Sequence, residues 1–126
     1  MPKPKSLAAI RIRAEVIRVI GLIPAGKFTT YGSIAIHMNV AVLHVSSVMN
    51  RLTDDESQSL PWHRVVGADA RISPKMEKTL AVEQRRRLEK EGLQIDPEGF
   101  IHNADNHFHR VGVRRNIRWS DQALAG

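Results

Sequence analysis

"TTYGSIAIHMNVAVLHVSSVMNRL", residues 29–52, decides the fold. Thr29 or Thr30 can cap a helix, because a threonine hydroxyl accepts a hydrogen bond from an otherwise unpaired N–H of the first turn. Ile34, Ala35 and Met38 follow at helical spacing. Asn39 can end that helix, since asparagine tolerates left-handed backbone. A second helix is predicted over about 41–52, with Val42, Val45, Val48, Met49 and Leu52 apolar at helical spacing. Two short helices joined by a tight turn, behind a longer one, read as a helix-turn-helix.

The longer helix lies upstream. Ser6 can cap it, and Leu7, Ile10, Ala14, Ile17 and Ile20 form a helical recurrence that Gly21 and Pro24 bring to an end. "IPAGKF", 23–28, is then a loop. Downstream, "TDDESQS" at 53–59 reads as an acidic polar loop. "WHRVVGADARIS" at 62–73 reads as two short extended pieces around a turn at Gly67–Asp69, like the wing of a winged helix. "PKMEKTLAVEQRRRLEKEGL" at 74–93 predicts a helix with Pro74 near its start, Leu80 and Leu88 on one side, and Gly92 at its end. "LQIDPEGFIH" at 93–102 predicts a hairpin turning at Asp96–Gly99. We expect one mainly α domain over 1–126 with short β pieces, a core at about 6–102, and an irregular basic tail at 103–126 that is mobile at its end.

Composition narrows the function. The 126 residues are 42% hydrophobic and 25% charged, ordinary for a globular chain. Net charge is +6. Residues 1–53 carry seven Lys/Arg against one acid, whereas 54–100 carry eight against ten and 101–126 four against two. That distribution favours a polyanion, most simply nucleic acid, bound on one face; the bland alternative is a basic protein with no such partner. No apolar run approaches the roughly 18 residues needed to span a membrane. Arg11, Arg13, Glu15 and Arg18 interrupt the N-terminal apolar stretch, unlike a signal peptide, so an intracellular, cytoplasmic location is expected.

There is no cysteine. Disulfides, zinc–thiolate sites and thiol nucleophiles are therefore excluded. His102, His107 and His109 lie close in sequence, but their spacing fits no strong metal pattern, and a solvated tail is the plainer reading. No metal or cofactor is expected. "RRR" at 85–87 sits among Glu83 and Glu89 and reads as a salt-laced helix face. "RVGVRRNIRW" at 110–119 could contact phosphate or dock a partner.

Four ordered motifs carry a resemblance: "IPAGKFTTYGSIA", "VSSVM", "LPWHRVV" and "RRRLEKEGL". Over roughly 7–95 the chain resembles the C-terminal, DNA-binding domain of the O6-alkylguanine-DNA alkyltransferases, a winged-helix-like helix-turn-helix. Tyr31 lies 31 residues before Trp62, in keeping with that family's layout. Trp62 stands in the slot that holds the acceptor cysteine, which makes the chain similar to the alkyltransferase-like proteins. Alkyl transfer needs a thiolate. Indole nitrogen is only a donor, so no self-alkylation by that route is expected and the chain is not an enzyme of that kind.

The resemblance implies recognition without chemistry. A base reached by an enclosing pocket must leave the stack. Here the helix-turn-helix would dock in the minor groove of duplex DNA carrying O6-alkylguanine, flip that nucleotide, shield it from alkyltransferases and hand it to nucleotide excision repair proteins. Thr30, Tyr31, Leu43, His44, Ser46, Ser47 and Arg64 would meet DNA. Tyr31 would turn the target phosphate and touch the flipped base; its bland reading is a half-buried core tyrosine. Trp62 would floor a pocket shared with His63, Val65, Lys75 and Met76, with the Val65 carbonyl facing the guanine amino group and Lys75 near the O6 substituent. Pro61, Arg64 and Glu91 would be structural, Glu91 orienting His63. The family's recognition helix carries an arginine that fills the gap left by the flipped base; alignment on "VSSVM" puts Leu43 there, and an aliphatic wedge can also part base steps. A monomer away from membranes is expected. The rivals are a winged-helix regulator reading undamaged sequence in the major groove, a general DNA binder without lesion preference, and a hydrolase using His63 with a nearby acid.

Overall fold

The computed structural model describes residues 6–113 and Trp119. Its first helix, α1 (Leu7–Gly21), starts where Ser6 Oγ accepts from the Ala9 N–H at 3.1 Å. The buried face is only partly the predicted one, sharing Ile20 with it. Ile12, Val16, Val19 and Ile20 point inward, while Ile10 is 50% exposed and Ala14 faces solvent. Two apolar recurrences share this helix. The one that continues into buried Ile23 wins, because it meets the next two helices. Glu15 goes inward with it, held by Arg18 at 2.7 and 2.9 Å and by His37 Nε2 at 2.8 Å.

Strand β1 (Thr29–Thr30) leads directly into α2 (Tyr31–Met38), and Thr30 is the cap, its hydroxyl accepting from the Ser33 N–H at 3.0 Å. Asn39 takes left-handed backbone (φ 55°, ψ 48°) and closes the helix. The chain turns through 119° into α3 (Val42–Met49), the angle of a helix-turn-helix. Ile34, Ala35, Met38 and Val45 join α1 in the main core. Val42 does not; it is exposed, and α3 ends three residues before Leu52.

Residues 53–59 are not a loop. They form α4 (Asp54–Ser59), opened by a capping box in which Thr53 Oγ1 accepts from the Glu56 N–H and the Glu56 carboxylate accepts from the Thr53 N–H. An Arg13–Glu56 ion pair ties α4 to α1. Next come a 3₁₀ turn at Trp62–Arg64 and β2 (Val65–Val66). Strand β2 pairs in parallel with β1, Thr29 opposite Val65 and Thr30 opposite Val66. The extended pieces predicted at 62–73 thus shrink to β2 and a bridge between Gly67 and Arg71, around a 3₁₀ turn at Ala68–Ala70.

Helix α5 (Lys78–Lys90) begins four residues after Pro74, with the Glu77 side chain accepting from the N–H groups of Thr79 and Leu80. Leu88 is buried, but Leu80 is 49% exposed. The predicted hairpin is present: Ile95 bridges Ile101, and the Gly99 N–H closes the turn on the Asp96 carbonyl at 3.0 Å. Phe28, Val66, Leu88, Leu93 and Ile101 make a second core cluster.

The segment from 103 to 113 is better tied down than an irregular tail. It contains α6 (Ala104–His107), and the backbone of 107–109 pairs with Phe28 on both sides, through Phe28 N–H to His107 O (3.0 Å) and His109 N–H to Phe28 O (2.7 Å). Phe108 packs edge-on to Phe28 at 5.7 Å, the His37 Nδ1 meets the Gly112 carbonyl at 3.2 Å, and Trp119 packs against the main core. The predicted mobile end and the arginines at 114, 115 and 118 lie outside the described residues. Among the described residues no single helix is long and apolar enough to cross a membrane, and no group of His or acidic side chains is arranged to hold a metal.

Candidate nucleic-acid interface

The two-residue β1–β2 ladder is what builds the site. Tyr31 follows β1 immediately, and the Trp62–Arg64 turn runs directly into β2, so pairing these strands sets the tyrosine and the tryptophan on one wall-and-floor arrangement. Both line an open cleft of about 1240 Å³ between the helix-turn-helix, α4 and the start of α5. Thr30, Ser46, Lys75 and Met76 line it too. Burial pushes the Tyr31 phenol above its ordinary value of 10, so it stays a neutral donor and acceptor.

Several residues that the sequence left in helices or loops also line the cleft. Ile36, Val42, Met49, Leu52 and Leu80 give it an apolar wall, which explains why Val42 and Leu80 do not enter the core. The lining carries four carboxylates, Asp54, Asp69, Glu77 and Glu83, against Lys75 and Arg87. The positive excess of the chain therefore lies outside the cleft. Glu83 and Arg87 are four apart on α5, a helical pair spacing visible in sequence. Asp54 arrives only because α4 exists.

Behind the cleft sits a clamp. Glu91 caps the C-terminal end of α5, and its carboxylate accepts from Arg64 Nε (3.0 Å) and Nη2 (2.7 Å), His63 Nε2 (2.9 Å) and the Gly26 N–H (3.1 Å). Burial alone would raise this carboxyl; the Arg64, His63 and Gly26 donors outweigh it and hold it at about 2. Burial likewise lowers His63, with Glu91 opposing, so the imidazole is neutral near pH 7 and carries its proton on the nitrogen facing Glu91. Its Nδ1 has no protein partner among the described residues.

This geometry sorts the sequence-derived site residues. Arg64 is turned inward, onto Glu91 and the Ile23 carbonyl (2.7 Å), and is not among the residues lining the cleft. Val65 is fully buried, and its carbonyl accepts from Gln84 Nε2 at 2.8 Å instead of facing the cleft. Gln84 also donates to the His63 carbonyl at 3.1 Å, so a single buried amide fixes the backbone on both sides of Arg64. Sequence reading passed over it, though Leu80, Gln84, Leu88 and Glu91 share one helical stripe. His63 is buried behind the cleft, and Pro61 is the residue that opens the 3₁₀ turn. Leu43 and His44 stand on the exposed outer side of α3, Leu43 at 65% exposure; Ser47 is partly buried and outside the cleft lining.

A helix-turn-helix whose exposed second helix borders an apolar cleft, with an aromatic residue on each of two sides and no thiol, defines a DNA-binding class of domain that lacks a covalent acceptor. Residues 11–93 match the family described as "6-O-methylguanine DNA methyltransferase, DNA binding domain", and the chain belongs to that family. Within it, the chain is 34% identical over 89 residues to a DNA base-flipping protein of Vibrio parahaemolyticus, covering 69% of this chain and 85% of that one. It is 35% identical over 75 residues to alkyltransferase-like protein 1 of Schizosaccharomyces pombe, covering 58% and 68% respectively. The fold matches the crystal structure of S. pombe Atl1 in complex with damaged DNA containing O6-carboxymethylguanine, with a TM-score of 0.67 and 27% identity over 79% of this chain and 95% of that one. The winged-helix-like architecture expected from sequence is thus the observed one. The family's acceptor reaction has no acceptor here, because the chain contains no cysteine.

Proposed function

We propose that this protein binds duplex DNA containing O6-alkylguanine through the minor groove, flips the modified nucleotide into the cleft, and marks it for nucleotide excision repair without changing it. The observation that carries this reading is the meeting of Tyr31 and Trp62 in one cleft beside the exposed face of α3. Base-flipping relatives and a structural neighbour bound to damaged DNA support it. At about 1240 Å³ the cleft exceeds the roughly 300 Å³ of the smallest ligand pockets, so a base with its substituent is a reasonable guest. Its apolar wall suits an alkyl group, and its carboxylates disfavour phosphate inside, leaving the backbone to the chain's outer basic residues. Leu43 would fill the vacated stack. The excision-repair proteins are the partners, and a monomer acting where the DNA is kept suffices.

The deciding test is a pair of fluorescence-anisotropy titrations at fixed moderate salt, with short duplexes containing O6-methylguanine or guanine. Tighter binding to the modified duplex is expected, with an affinity that falls steeply as salt rises and phosphate counterions are released. Equal affinity for the two duplexes would sink the lesion reading. A preference for one undamaged sequence would instead favour a winged-helix regulator, with Leu43 and His44 reading base edges.

A further inference from the structure

We infer that Arg87 is a positioning residue for the pocket tryptophan, and that Glu83 aims it. The inference rests on the reading of Trp62 as the pocket floor. The Arg87 guanidinium carbon lies over the Trp62 ring, 5.2 Å from its centre, the arrangement of a cation–π pair with the aromatic ring that favours it most. Arg87 Nε donates to Glu83 Oε1 at 2.9 Å. Glu83 is itself fixed by Arg86, whose Nε and Nη2 reach its two oxygens at 2.9 and 2.6 Å. These two arginines, Arg86 first, hold the Glu83 carboxyl at about 2, so the anchor stays ionised through the neutral range.

A second boundary of the indole is set by its neighbour in sequence. The His63 ring meets Trp62 edge to face at 6.3 Å and 89°, and His63 is locked by Glu91. The indole is therefore bounded by two side chains whose own positions are fixed by carboxylates on α5 and at its end. Arg87 does two things at once. It stops the ring from swinging across the cleft, and it covers one indole face, so an incoming base cannot stack there and must present its substituent to what remains open. Held between the Glu83 carboxylate, which it shares with Arg86, and the Trp62 ring, Arg87 is assigned to the pocket and not to phosphate, although sequence places it in a run of three arginines that would suit one.

The test uses the full chain with Trp119→Phe, which leaves Trp62 as the one indole, and adds Arg87→Met, Arg87→Lys or Glu83→Gln. Time-resolved emission anisotropy reads the mobility of Trp62 without DNA. The two duplexes above read selectivity. Arg87→Met should free the indole and reduce the preference for the O6-methylguanine duplex by about fivefold, the modified duplex losing clearly more affinity than the plain one. Arg87→Lys should restore part of both signals, and Glu83→Gln should loosen Trp62 with Arg87 still present. Parallel weakening on both duplexes with a salt slope smaller by about one would make Arg87 a phosphate contact and overturn the inference. Unchanged Trp62 mobility in Arg87→Met would overturn it as well. If the parent protein shows no lesion preference, the proposed function fails, but the mobility measurement still decides whether Arg87 holds the ring.

Discussion

On the proposed function, Tyr31 and Leu43 divide the work between the inside and the outside of the recognition unit. Tyr31 is half-buried at the cleft edge, a step from the N-cap of its helix. Tyr31→Ala should lower affinity for the O6-methylguanine duplex by at least about tenfold, close to 1.4 kcal/mol, because it removes the ring proposed to meet the flipped base. Unchanged titrations would show that the cleft is not entered there. Leu43 stands out on α3, mostly exposed. An aliphatic wedge separates bases but gives no hydrogen bond to an orphaned cytosine, so Leu43→Arg should tighten lesion binding. No gain would mean another residue occupies the vacated stack. Behind both lies Glu91, whose carboxyl is at about 2 in the fold against 4.5 for a free glutamate. A depressed carboxyl stabilises the fold above its unfolded value and loses that contribution as pH falls from about 4.5 towards 2. Glu91→Gln should therefore cost about 1–3 kcal/mol at neutral pH and flatten the acid limb of a denaturation series in that window. An acid limb as steep as wild type would assign it to other carboxylates, of which Glu56, also at about 2, is the first candidate.

At the scale of elements, the caps and the buried face of α2 were legible, and the packing faces of α1 and α5 were not. Ser6, Thr30 and Asn39 each end a helix where sequence placed the end, because a cap is a local hydrogen bond. Helix α4 was hidden by three consecutive acids that look like a solvated loop. Yet Thr53 and Glu56 are three apart, the spacing of a capping box, and acids in a first turn complement the helix dipole. Thr53→Ala should cost about 0.5–2 kcal/mol in a chemical-denaturation midpoint; a change much below that range would place the hold on α4 in the Arg13–Glu56 pair alone. The face of α1 could not be read, since only contact with α2 and α3 chooses between two apolar recurrences. Leu80 and Val42 misled for a related reason. Apolar residues at helical spacing signal a buried face, but a cleft uses the same residues as a core does. The inward turn of Arg64 depends on Glu91, 27 residues away, and that of the Val65 carbonyl on Gln84, 19 residues away, separations that no local pattern reveals.

On the scale of the whole molecule, charge and cleft are separate. The chain carries +6, but the cleft lining has more acids than bases. Long-range attraction to DNA and discrimination of what enters the cleft should therefore respond differently to salt: plain and modified duplexes should lose affinity together as salt rises, while their ratio holds nearly constant. Titrations of both duplexes at three salt concentrations read this directly, and a ratio that collapses with salt would put the discrimination among the phosphate contacts. The same sequence that made the motif recognisable also sets a limit of another sort. With an indole in the slot and no thiol to form a bond, a guest bound as proposed would leave as it arrived, and the protein would not be used up by one encounter. On the proposed function its occupancy would be governed by concentration and residence time, so the dwell of the complex would be the interval in which a repair partner must arrive, and one molecule could serve many sites in succession.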